Sequence, residues 1–387
     1  MKRAGWFTGL LLLMAAIVGL IYVVRPRLYL LTFAAVGLLI VAVYCAVWFR
    51  KSRTVNLFVS VAAISLGLSF LDPFGVLAER TVIHLEGSWS DRYHYVWDDE
   101  LGIVLPHNVA ARARKLTNDH LDYDVTYTID ANGHRATTGS HDPDADNVIF
   151  LGCSFTFGQG LNDDQTLPQQ FSTITGQRFN VINFGVPTYG LHQVTRILEL
   201  GLPEPFLKRG KRFIVYSAIA DHARRAAAMY NWAARGPAYR VDSDGTATYR
   251  GNIYAPWTGY IITAASRSAF LSHYVLDPLL SGINFDPVPL YIALVKKATA
   301  LSHEKYHAQF IMVFWDDVEP YEPSARIQAE LDKAKIPYVR VSSIILDFLQ
   351  KDSSYRVSPY DQHPNPLANR LIAEYLAKRI ESVGLSE

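Results

Sequence analysis

From Asn147 to the C-terminus, short apolar runs alternate with helix-length stretches, a rhythm that fits few folds other than a parallel sheet with crossover helices. Candidate strands are Val148–Leu151, Phe179–Asn183, Phe213–Tyr216, Gln309–Phe314 and Tyr338–Val341. Candidate helices include Leu167–Thr175, opened by Thr166 and Pro168 and stopped by Gly176, and Pro366–Val383 near the end of the chain. Five strands in this order predict an α/β fold with a flavodoxin-like doubly wound sheet. No internal repeat or low-complexity tract interrupts it.

Half of the 387 residues are hydrophobic and the formal net charge is +1, which excludes a disordered tail and leaves no basic patch for a nucleic acid. The apolar excess lies at the start. Ala4–Val24, Leu28–Phe49 and Thr54–Leu71 hold no charged residue, and each is long enough to cross a hydrocarbon core of roughly 30 Å. Three transmembrane helices are therefore expected, anchoring residues 1–75 in a lipid bilayer. A cleaved signal peptide is the alternative for the first, but its apolar core is long and a second span follows Arg25-Pro26-Arg27. Lys2 and Arg3 precede the first span, and Arg50, Lys51 and Arg53 separate the last two. Placing the richer basic sets in the cytoplasm gives a multi-pass protein of the inner (cytoplasmic) membrane, its C-terminal domain on the periplasmic or extracytoplasmic side. Cys45 and Cys153 fall in different environments and are not read as a disulfide pair.

Residues 76–146 read as a small β-rich extracytoplasmic connector. Within it YDVTYTIDANGHR sets Tyr123, Val125, Tyr127 and Ile129 on one face and runs into Asn132-Gly133, a hairpin turn signal. The domain that follows, 147–387, carries an aromatic-rich insertion at about 223–289 with Tyr230, Trp232, Tyr239, Tyr249, Tyr254, Trp257 and Tyr260. Such rings stack on sugar faces, or else form a local core or touch a membrane surface.

The chemistry centres on NVIFLGCSFTFGQG, residues 147–160, where an apolar run ends in Gly152, Cys153 and Ser154. A serine at the end of a buried strand, in a Gly-flanked turn, exposes its hydroxyl and turns its backbone N–H toward the same space. Taken alone it is also what a helix-capping serine at a βα junction looks like. Far along the chain, YDQHPNPLANRLIAEYLAKRI places Asp361 and His363 just before the terminal helix. There His363 can serve as general base, with Asp361 holding its Nδ1 proton; capping that helix is the alternative role for His363.

These blocks resemble the SGNH/GDSL hydrolase family, serine esterases and acyl hydrolases built on a flavodoxin-like, three-layer fold. The family's Gly-Asp-Ser-x-x-x-Gly is matched at Gly152, Ser154 and Gly158, with Cys153 in place of Asp. Its Asp-x-x-His-Pro is matched by DQHP with one residue fewer between Asp361 and His363. The resemblance implies Ser154 as nucleophile, His363 as base and Asp361 as its orienting carboxylate. VINFGVPTYGLHQ resembles the second block, whose central glycine donates a backbone N–H to the oxyanion and falls here on Thr188, between Gly185 and Gly190. The third block, Gly-x-Asn-Asp, is not matched: the chain reads YSAIADHARR, leaving His222 as the substitute side-chain donor or Ala220 at the Asn position with no donor at all. The expected oxyanion set is thus Ser154, Thr188 and His222.

No histidine pair has zinc-like spacing and no GxxxxGK[ST] loop occurs, so neither a metal nor a cofactor is expected. Asp163-Asp164 and Asp316-Asp317 are expected to cap helices or face solvent. The resemblance and the membrane segments together imply a membrane-anchored serine esterase removing O-acyl groups, acetyl most simply, from a cell-envelope or exported polysaccharide. The expected partners are the bilayer and an acylated glycan or small ester. An O-acetyltransferase using the same triad, or a catalytically weak subunit of a membrane complex, are the alternatives.

Overall fold

The computed structural model describes residues 83–89, 95–230, 235–254, 286–316, 323–350 and 352–384, with residues 56, 59, 60, 233, 256–266, 268–276, 278 and 279 besides. The chain divides into two compact units, 81–256 with 284–387, and 1–80 with 257–283. In the second of these the described elements are helical, including most of Pro256–Ala265, Ala269–Leu271 and a π-turn at Ser272–Leu276. The rest of this description concerns the larger unit.

It opens with antiparallel structure. Strand β1 (Ile83–Glu86) is followed by the hairpin β2 (Val96–Asp98) and β3 (Gly102–Val104), and then by the long strands β4 (Val109–Thr117) and β5 (His120–Ile129). β4 lies between β1 and β5 in one sheet. The β4–β5 turn is Asn118-Asp119, both residues at positive φ (49° and 64°), the geometry that matches the twist of a two-residue hairpin. Asn132-Gly133, the turn signal read in the sequence, instead closes a small loop joined by a single bridge between Ile129 and Arg135. Asp130 organises that loop, its Oδ1 accepting from the amides of Asn132 and His134 at 2.8 and 2.9 Å.

The parallel sheet begins with β6 (Asn147–Gly152), every residue of which is buried, as a strand covered on both faces requires. There follow α1 (Ser154–Phe157), α2 (Leu167–Ile174), β7 (Asn180–Gly185), α3 (Leu191–Leu200), β8 (Arg212–Ile219) and α4 (Asp221–Ala226). After a hairpin, β9 (Pro237–Val241) and β10 (Ala247–Asn252), the alternation resumes with α5 (Pro287–Glu304), β11 (Ala308–Trp315), α6 (Pro323–Lys333) and the short β12 (Val339–Arg340). The spatial order is β12-β11-β8-β6-β7, so the first strand of the sheet lies inside and the chain reverses direction across the sheet beside it. Such a reversal opens a crevice at the carboxyl end of the central strand, where ligands of doubly wound sheets bind. Alternate residues of β6 face opposite layers. Val148 and Phe150 pack with Leu167 and Phe171 of α2 and Ile372 and Leu376 of the terminal helix, whereas Ile149 and Leu151 pack with Val194 and Leu198 of α3 and Leu294 and Val295 of α5.

The chain ends in α7 (Val341–Ile344), the hairpin β13 (Arg356–Ser358) and β14 (Asp361–Pro364), and α8 (Pro366–Gly384). The expectation of three transmembrane helices is corrected here. Among the described residues no helix is long and apolar enough to cross a membrane, and nearly all of 4–24, 28–49 and 54–71 lies outside the described residues. An uncharged run shows only that a segment avoids water, whereas a span must be helical and apolar on every side. The two longest described helices, α5 and α8, are long enough but carry charged faces.

Of residues 76–146, read as a connector, 81–146 belong to the same compact unit as the parallel sheet. In the aromatic insertion two rings are committed to the core. Tyr239 is buried and donates to Glu199 at 2.7 Å, and Tyr249 lies beneath the Arg196 guanidinium, 3.7 Å from its ring centre. Cys153 is a free, buried thiol, and Cys45 lies outside the described residues.

Candidate active site

Strand β6 delivers Ser154 to the crevice through a turn that only glycine can begin. Gly152 sits at φ +154°, and a Cβ there would run into the Thr156 side chain and lie 3.0 Å from the Ser217 carbonyl. Cys153 turns its side chain into the core and Ser154 starts α1, whose last turn ends at Gly158 with φ +82°. The turn is held from below by the second block. Asn183 Nδ2 donates to the Thr156 carbonyl at 3.0 Å while its Oδ1 accepts from the Gly185 amide at 2.9 Å. A Cβ on Gly185 would collide with the Phe157 amide, so α1 packs directly on the strand backbone.

The β13–β14 hairpin supplies the other half. Asp361 and His363 stand two apart on β14, so both side chains leave the same face of the strand. This is why a two-residue spacing still forms the pair. His363 Nε2 lies 2.8 Å from Ser154 Oγ, and His363 Nδ1 lies 2.6 Å from Asp361 Oδ1, which also accepts the His363 amide at 3.0 Å. With Nδ1–H donating to Asp361, the network assigns Nε2 as the acceptor of the serine proton. Phe155 packs against the imidazole, with ring centres 5.4 Å apart.

Burial by itself would raise the pKa of the Asp361 carboxyl. His363 first, and then Lys115, outweigh that effect and hold it well below the usual carboxylate range. Lys115 Nζ is 2.8 Å from Asp361 Oδ2 and 3.6 Å from Asp122 Oδ2, and both carboxylates are inaccessible to solvent. Asp122 in turn accepts from Thr117 and Ser358 hydroxyls. Lys115 comes from β4, so the N-terminal sheet reaches the site.

A second cation from that segment holds the turn that follows Ser154. Arg135 is 1% exposed, and its guanidinium donates to the carbonyls of Phe157 (3.3 Å), Gly158 (3.4 Å) and Leu161 (2.8 Å) and to Asp163 (2.7 Å). It packs against the Tyr127 and Phe157 rings, at 4.4 and 4.7 Å from their centres. Asp163, expected to cap a helix or face solvent, is therefore a structural tether that also accepts the Thr128 amide. Asp316 caps α7 by accepting the Ser342 amide and hydroxyl, and Asp317 lies outside the described residues.

Thr188 takes up the conformation a glycine would have, at φ +75°. For a β-branched residue this left-handed geometry is strained, and the surrounding bonds impose it. The Val186 amide donates to the Gly152 carbonyl at 3.3 Å, and the Tyr189 carbonyl accepts from Arg225 Nη1 at 2.9 Å. Arg225 is itself held by Asp221 at 2.7 Å, four residues back on α4. The unmatched third block thus carries an ion pair that pins the loop of the second. His222 lies in the core, fully buried, with Nδ1 2.6 Å from the Tyr216 hydroxyl. Burial, reinforced by Arg225 and His192, drives its pKa well below normal, so the ring is neutral. Its Nε2 meets no hydrogen-bond partner among the described residues.

Sequence reasoning missed Lys115 and Arg135, and the geometry explains why. The β4–β5 register slips between Lys115 and Leu116, so that Lys115 faces Tyr123 and Leu116 faces Leu121, leaving Asp122 as the extra residue of a bulge. Asp122 and Tyr123 are consecutively buried as a result. Strict alternation gives no hint of this, because Asp124 and the residues after it keep the regular pattern and only Asp122 departs from it.

No protein-family model and no curated protein matches the chain. Among solved structures it is similar to a protein assigned to the lipolytic G-D-S-L family from Desulfitobacterium hafniense DCB-2, at 12% identity and a TM-score of 0.35, over 60% of this chain and 98% of that one.

Proposed function

We propose that this chain is a serine ester hydrolase of the SGNH/GDSL kind, acting on short O-acyl groups, acetyl in the simplest case. The observation that carries the reading is the continuous hydrogen-bonded series from Ser154 Oγ through His363 to Asp361, at 2.8 and 2.6 Å. In this reading Ser154 Oγ attacks the ester carbonyl and passes its proton to His363 Nε2, while Asp361 stabilises the imidazolium. The amides of Ser154 and Thr188 receive the developing oxyanion. His363 returns the proton to the leaving alcohol, and a water activated by the same nitrogen then attacks the acyl-serine and releases the acid. The short acyl chain is supported by access: Ser154 is only 6% exposed and Phe155 crowds the base.

The test is hydrolysis of p-nitrophenyl acetate against p-nitrophenyl octanoate by the full chain, with acetate release from an acetylated glycan measured in parallel. Faster turnover of the acetyl ester, abolished in Ser154→Ala, supports the reading. Wild-type rates no higher than those of Ser154→Ala overturn it.

A further inference from the structure

We propose that Lys115 is a positioning residue of the triad, fixing the Asp361 carboxylate from the side opposite His363 and offsetting its charge. The inference rests on the hydrolase reading of Ser154, His363 and Asp361 but concerns a residue from outside the strands that carry them. Each oxygen of Asp361 has its own partner: Oδ1 faces His363 and Oδ2 faces Lys115. The carboxylate therefore cannot rotate without breaking one bond or the other, and the imidazole plane is fixed with it.

The electrostatic consequence follows from the same contacts. An imidazolium formed at His363 faces a carboxylate whose charge is already shared with an ammonium 2.8 Å from its other oxygen. Among the described residues, the titratable groups near the pair include Asp122, Tyr123 and Tyr127 from β5, with His120 3.8 Å from Asp122, and Arg356 stands on β13, the strand paired with β14. Burial raises the pKa of both phenols, so they stay neutral. Asp122 lies farther from Lys115 than Asp361 does, at 3.6 Å, and its oxygens are also engaged by Thr117 and Ser358. Lys115 is thus a cation in direct contact with the triad carboxylate. Removing its charge should move the acid limb of the rate profile toward higher pH by about one unit, the scale of losing a nearby unit charge at intermediate dielectric.

The alternative role is purely structural, with Lys115 present only to neutralise two buried carboxylates. A purely structural role lowers stability and activity at every pH but leaves the His363–Asp361 bond, and so its resonance, unchanged. The experiment compares wild type, Lys115→Met and Lys115→Arg as full chains, measuring kcat/KM for p-nitrophenyl acetate against pH. Low-field proton NMR of the His363 Nδ1–H follows the histidine–aspartate bond in parallel. The expected result is an upward displacement of the acid limb and a downfield move of the Nδ1–H resonance in Lys115→Met, both reversed in Lys115→Arg. An unmoved limb and an unmoved resonance in Lys115→Met overturn the proposal. Should wild type show no esterase activity, the resonance alone decides: a displaced signal supports Lys115 as a positioning residue while the hydrolase reading fails. Where Lys115→Met does not fold, Lys115→Arg decides by the same two measurements, a wild-type limb and resonance supporting the proposal and displaced ones opposing it.

Discussion

Replacing Arg135 with methionine tests whether the N-terminal sheet is part of the catalytic scaffold. The side chain is almost wholly buried and donates to three carbonyls of the turn that follows Ser154. Methionine keeps much of the packing against the Tyr127 and Phe157 rings but donates nothing. The Leu161 carbonyl loses a 2.8 Å bond, while those of Phe157 and Gly158 lose longer ones. A buried acceptor left unpaired costs about 1–3 kcal/mol. Asp163, a third exposed, regains water and adds little. The cation's contact with two rings contributes about another 1 kcal/mol, and relief of its desolvation offsets part of the total. The sum is a loss of about 3 kcal/mol, which urea unfolding of Arg135→Met against wild type measures directly. Because the lost bonds hold the turn that follows Ser154, the ester hydrolysis proposed for this site should fall as well, even under conditions where the variant is fully folded. Arg135→Lys keeps the charge but not the fork, and should fall between the two. A loss below about 1 kcal/mol in Arg135→Met, with activity intact, would refute the claim that this guanidinium holds the turn.

Other consequences follow from the site. Thr188→Gly relieves about 1–2 kcal/mol of left-handed strain and returns roughly half of it as unfolded-chain entropy, so the variant should be more stable by about 0.5–1 kcal/mol with activity retained. Thermal unfolding checks it, and destabilisation would show that Thr188 is not strained. Asp361→Asn keeps the shape but cannot hold the productive tautomer, and kcat should drop about 10³- to 10⁴-fold. Since the folded-state pKa of Asp361 is depressed, its charge stabilises the protein above the unfolded value of about 3.9 and that contribution fades as pH falls below it. Acid unfolding curves of wild type and Asp361→Asn should therefore converge as pH falls below about 4.

The parallel sheet was legible because strands buried on both faces are uninterrupted apolar runs: β6, β8 and β11 contain the runs read in the sequence, and β7 holds all of its run except Phe179. Their ends extend a residue or more beyond the apolar stretch, since backbone pairing continues through Asn147, Gly185 and Arg212, which hydropathy does not mark. Ser154, His363 and Asp361 were legible because Gly-flanked and Pro-flanked turns carry local signatures. Lys115 was not, because a bulge rather than sequence spacing brings it to the site. Arg135 looked like an ordinary loop cation; what buries it is the meeting of Tyr127 and Phe157, thirty positions apart in the chain. The unmatched third block gave no sign that Asp221 and Arg225 pin the loop of Thr188, a contact between α4 and residues well upstream. The N-terminal apolar runs show the opposite error, where hydropathy alone led to membrane spans for which the described helices give no support.

The most direct test of the central claim is labelling by a serine-directed fluorophosphonate, with the adduct located by peptide mass spectrometry. One adduct is expected, on Ser154, absent in Ser154→Ala. Labelling of another serine, or none on a folded wild-type chain, would contradict it.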